Sequence, residues 1–200
     1  MTWWLRSRRG PALLFAIVAQ LALTWILGET LVPSPSLAEG AITRLPAIVF
    51  LPLVVASTIY FSLEASGGAI EVAGVRRTAV MDAALVASAL ATLVVGGVVI
   101  DALGGAFTGE AARNTAGYVG LGLIAAKLLG SRAGSVAPAA YVVLVASTSS
   151  RTSGLSRLWS WPADNPLTAR SVIVAGILCV LGLLATVLRD RPLPSLARQR

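Results

Sequence analysis

The chain has 200 residues, of which 56% are hydrophobic and only 12% charged, and its mean hydropathy is +0.81. A soluble domain carries about 25% charged residues, so this composition excludes one; runs of about 20 apolar residues, each long enough for a hydrocarbon core of roughly 30 Å, point to a polytopic membrane protein. The net charge of +7 sits in short stretches beside apolar runs, which marks membrane topology and excludes a nucleic-acid partner, and the absence of His removes imidazole metal sites, Ser-His dyads and His proton relays.

In chain order, Trp3, Trp4, Arg6, Arg8 and Arg9 form an aromatic and basic interfacial anchor. Pro11–Val32 is the first expected span, with Gln20 and Thr24 its strongly polar side chains before Glu29. Ser36 and Ala38 offer a small-residue cleavage pattern, so a signal peptide is the competing reading of this segment; the apolar run exceeds a typical signal core. Pro33–Arg44 reads as a short external loop. Leu45–Leu63 is the second span, kinked at Pro52. Glu64–Thr78 is a polar, charge-dense interruption, and Ala79–Ile100 is the third span. Asp101–Asn114 reads as a second external loop. Thr115–Leu129 is the fourth span, where Gly117, Gly120, Gly122 and Ala126 provide small faces for close helix packing. A tight turn leads to Ser135–Thr148, the fifth span. Ser149–Arg170 reads as an external re-entrant segment on its Trp159, Trp161, Pro162 and Pro166, and Ser171–Leu188 is the sixth span. Cys179 is a lone packing residue in that run. With the N-terminus inside, eleven Lys and Arg fall in cytoplasmic segments and five in external ones, which predicts six spans with both termini in the cytoplasm.

No Asp, Glu, Lys or Arg lies near the middle of any expected span, where an ion-driven transporter usually keeps them. Ser66 precedes Gly67-Gly68 without an accompanying base, and neither a paired-aspartate headgroup-transfer motif nor a metal cluster is present. The sequence therefore offers no catalytic, cofactor-binding or metal-binding residues, and a chain of this kind is not expected to be an enzyme. Within Glu64–Thr78, the residues Glu64, Gly68 and Glu71 share one face if the piece is helical, with Arg76 and Arg77 entering the third span. A solvated loop whose charges obey topology is the plain alternative.

Glu64, Gly68, Glu71, Val75, Arg76 and Arg77 resemble the pattern E-x3-G-x2-E-x3-V/P-x-R in permeases of type-2 ABC exporters. The resemblance extends to Tyr118–Tyr141, a glycine-rich span leading through a tight turn to a Pro-containing one, and to the Trp/Pro segment before the last span. Val75 stands where the family usually has Pro, and the stretch before the first span is short for the family's amphipathic helix. The resemblance implies an all-α permease subunit with six membrane spans, akin to small actinobacterial peptide-export and self-immunity permeases. It also implies that Glu64–Thr78 is the coupling segment docking on an ABC nucleotide-binding subunit, and that the permease dimerises with a second copy or a paralogue in the lipids of the bacterial plasma membrane. The chain lacks a Gly-rich phosphate loop ending in Lys-Ser/Thr, so ATP and Mg are expected on the partner subunit. Two other readings stay open from the residues: the substrate-binding membrane component of an energy-coupling-factor vitamin importer, and a non-transporting immunity or scaffold protein.

Overall fold

The structure, a computed structural model, describes residues 8–28, 30–35, 42–64, 78–104, 108–148, 159–164 and 167–188. These residues are mostly helical: α1 (Gly10–Leu27), α2 (Pro52–Glu64), α3 (Thr78–Ala102), α4 (Thr108–Leu129), α5 (Ser131–Thr148) and α6 (Ala169–Val187), with strands β1 (Leu31–Pro35) and β2 (Ile42–Pro46) between α1 and α2. Two 3-10 turns, Ala47–Val49 and Trp161–Ala163, precede α2 and α6. Four segments are long and apolar enough to cross a membrane, namely Gly10–Leu27, Ala47–Glu64, Ala79–Ala102 and Ala169–Val187, and the chain is accordingly a membrane protein. Their outward faces are apolar: Phe15, Val18 and Ile26 on α1, Val95 and Val98 on α3, and Ile173, Ile177 and Leu184 on α6 are all exposed, as side chains in contact with acyl chains would be.

Two stretches differ from the loops expected of them. The segment expected as Pro33–Arg44 is in part an antiparallel hairpin, with Pro33 opposite Arg44 and Pro35 opposite Ile42. The N–H of Ala47 donates to the Thr30 carbonyl at 2.8 Å, which places residues 30, 32 and 34 in the hydrogen-bonded pairs of the ladder. Positions 33, 35 and 46 then turn their backbones away from the partner strand, where proline's missing N–H leaves no ladder bond unmade. The segment expected as the Asp101–Asn114 loop is shorter, because α4 begins at Thr108, and Arg113 and Asn114 lie inside a helix. Glu110 in its first turn complements the positive end of the helix dipole, a start signal that the loop reading passed over.

α4 packs against all five other long helices. It falls outside the four span candidates because it carries Glu110, Arg113, Asn114 and Thr115, and these side chains are buried within the protein. Its small residues let neighbours come close. A side chain at Gly120 would meet the backbone of Leu178 and Cys179, and one at Gly122 would meet the Tyr60 hydroxyl and the Gly134 carbonyl. Pro138, inside α5, frees that Gly134 carbonyl from its helical bond. Gly130, with φ +97°, supplies the left-handed residue that ends α4 and starts α5 one residue later.

Candidate functional site

Two clusters of buried polar groups lie toward the ends of the bundle, each around a buried arginine. At the end where α1 begins, Arg9 has a left-handed backbone (φ 52°), a conformation that costs a non-glycine residue on the order of 1 kcal/mol. This turn sends two adjacent arginines to different surroundings. The Arg9 guanidinium lies 4.2 Å above the centre of the Phe61 ring, a cation-π contact. Arg8 enters the protein and is only 2% exposed. Its Nη2 lies 2.8 Å from Asp82 Oδ1 and donates to Oδ2 at 2.9 Å, while Nη1 donates to the Leu63 carbonyl at 2.8 Å. The Ser62 hydroxyl donates to the Arg8 carbonyl.

The chemistry of this joint follows from where its partners lie. Leu63 is in the last turn of α2, whose carbonyls have no helical partner and carry the negative end of the dipole. Asp82 is in the first turns of α3. One guanidinium thus holds the last turn of α2 and the start of α3, the exit and the entry of the connection 65–77. Arg8 was expected as an interfacial anchor and is instead a buried link; its partner lies 74 residues away, beyond any local pattern. In a double-mutant cycle of Arg8→Ala and Asp82→Ala, unfolding of the detergent-solubilised protein should give a coupling energy of about 1–3 kcal/mol. Additive single effects would show that the pair is incidental.

At the other end, Arg113 is 6% exposed and donates to a set of acceptors. Nε donates to Asn114 Oδ1 at 3.0 Å. Nη1 donates to Ser171 Oγ at 2.9 Å and to the Asp164 carbonyl at 3.1 Å, and Nη2 to the Pro162 carbonyl at 3.2 Å. Asn114 Nδ2 donates to the carbonyls of Pro162 (3.0 Å) and Ile48 (3.2 Å), and the Tyr118 hydroxyl to that of Val49 at 2.9 Å. The reason is in the sequence of α2. Pro52 has no N–H to offer the carbonyl four residues earlier, which is that of Ile48. Proline, expected to kink this span, splits it into a 3-10 turn and a helix, and Asn114 and Tyr118 satisfy the carbonyls so freed. Backbone that departs from a helix at membrane depth needs such donors from the protein.

The same network seats the turn before α6. Trp161 is buried between Tyr118 (ring centroids 5.8 Å apart) and Tyr141 (6.2 Å), over Gly117, where any side chain would overlap its indole. The Tyr141 hydroxyl donates to the Trp159 carbonyl. Thr168 caps α6 by accepting from the Ser171 N–H at 3.3 Å, and Asp164 faces Arg170 at 3.6 Å.

Of the residues expected to dock a partner, Glu64 is the exposed last residue of α2; Gly68, Glu71, Arg76 and Arg77 lie outside the described residues. Gly117, Gly120 and Gly122 contact Trp161, α6 and Tyr60 respectively, and Ala126 lies against Gly134. Arg113, placed by the sequence in the external loop Asp101–Asn114, is instead the centre of a buried network. Missing it followed from starting α4 too late: once the helix begins at Thr108, Arg113, Gly117 and Gly120 fall on one face. Comparison with protein-family models, curated proteins and solved structures returned no match.

Proposed function

We infer that the chain is the membrane subunit of an ATP-driven exporter of the type-2 ABC kind, with six spans and both termini in the cytoplasm. α4 is then an inner span, screened from lipid by its neighbours, and α5 a peripheral one whose Val136, Val143 and Leu144 are exposed. Two copies, or one copy and a paralogue, form the path for a peptide, antibiotic-like or lipidic substrate, and a separate nucleotide-binding subunit hydrolyses ATP. The carrying observation is the Arg8 joint. A connection that receives force from a soluble partner must be anchored at both ends, or its movement is lost in fraying helix termini. Arg8 anchors both, and ties them to α1. Differential contact of the Glu64–Thr78 segment with open and closed states of the partner is the source of coupling.

The test is charge reversal in that segment. Charges across a docked surface set register and specificity, so Glu71→Arg and Glu64→Arg should each lower recovery of the nucleotide-binding subunit from membranes, or uncouple its ATPase rate from export, while the permease still inserts. Arg44→Ala is the matched control, since Arg44 is exposed on β2 at the opposite end. Unchanged partner recovery, ATPase rate and export in both reversals would leave the segment a solvated loop.

A further inference from the structure

The buried face of α1 carries polar groups as well as the apolar Leu13, Ala16 and Ile17. Gln20 and Thr24, one turn apart, are each only 1% exposed. The Gln20 amide Nε2 donates to Thr115 Oγ1 at 2.8 Å, and that hydroxyl in turn donates to the Ala111 carbonyl at 2.8 Å. Thr115 has thereby spent its single proton. Gln20 Oε1 and Thr24 Oγ1 are buried and make no hydrogen bond among the described residues. Rotating the amide by half a turn does not help, because the nitrogen would then take the place of the bare oxygen.

We propose that Gln20 and Thr24 form an internal binding site for one water molecule on the inner face of α1, beside Thr115. Gln20 and Thr24 are four residues apart, about 6 Å along the axis and on one face of α1, where one water can bridge a side-chain amide and a hydroxyl with two hydrogen bonds. The water donates to Gln20 Oε1 and exchanges a hydrogen bond with the Thr24 hydroxyl, so both polar atoms are satisfied at once. Polar lining with two or more partners is what separates hydrated internal sites from dry ones, and a bare amide oxygen at this depth would carry the full desolvation cost. The site is independent of the transport reading and stands or falls without it.

Water-edited solid-state NMR of the unmodified protein in liposomes tests this directly. The Gln20 side-chain carbonyl should receive water magnetisation early, well ahead of the core residues Val86 and Leu93, which are 0% and 1% exposed. Build-up no faster than theirs overturns the site. Thr24→Val gives a second, opposed expectation. A dry, unpartnered hydroxyl is better removed, and the melting midpoint would rise; a hydroxyl that holds water leaves the Gln20 oxygen stranded when deleted. The midpoint should fall by roughly 2–4 °C, and Thr24→Ser should hold it near the parent value. A midpoint unchanged or raised by Thr24→Val overturns the proposal.

Discussion

Replacing Arg113 by Met should lower stability by about 3 kcal/mol or more, because the acceptors it serves cannot be removed with it. The Asp164 carbonyl and Asn114 Oδ1 would lose their donor, and the Pro162 carbonyl would keep only that of Asn114; leaving buried acceptors bare costs about 1–3 kcal/mol each. For a chain of this size the melting midpoint should fall by roughly 6–12 °C. Lysine should rescue little of it, since one ammonium on a flexible stem cannot reproduce the planar fork that reaches Asn114, Ser171 and both carbonyls together. Thermal unfolding in nanodiscs decides the matter: Arg113→Lys at parental stability would mean that charge, and not the fork, seats the turn.

An equally large loss is expected from a single methyl group at Gly120. Its Cβ would overlap the backbone of Leu178 and Cys179, and backbone cannot rotate out of the way as a side chain can. Overpacking costs about 1–3 kcal/mol, and Gly120→Ala belongs at the upper end because α4 and α6 must separate along their length. Gly122→Ala should follow closely, displacing the Tyr60 hydroxyl from the α4 carbonyls it bonds. Gly176→Ala is the control in the facing helix: nothing lies within 4 Å of its added methyl, and by helix propensity it should gain up to about 1 kcal/mol. If Gly120→Ala and Gly176→Ala unfold alike, the close contact of α4 with α6 is not what holds the bundle.

The parts legible in the sequence are those written in local pattern. Apolar runs located all six long helices, and Pro11 and Gly130 marked a start and a turn by their own stereochemistry, whereas Pro138 lies deeper in its helix than a span starting at Ser135 would put it. The polarity of α4 was misread as a loop because hydropathy measures preference for lipid, and α4 is surrounded by protein. What donors such as Asn114 and Tyr118 are for becomes visible only when the carbonyls near Pro52 are brought beside them, across 66 and 69 residues of sequence. Arg8 presents the same difficulty: a basic residue before a span normally meets headgroups, and only the left-handed turn at Arg9 and the distant Asp82 send it inward.

The prolines of the hairpin between α1 and α2 have a consequence for how that end of the molecule can meet anything else. An edge strand usually invites a neighbour by presenting a row of free N–H and C=O groups. On the open side of β1, positions 33 and 35 offer carbonyls but no donors, so a strand laid alongside would find every second rung missing. Along that edge of β1 the hairpin cannot take a complete ladder from a second copy or from an extended peptide. Whatever approaches along β1 must be recognised through side chains such as the exposed Leu31, and that edge gives copies in a crowded membrane only a broken backbone template on which to aggregate.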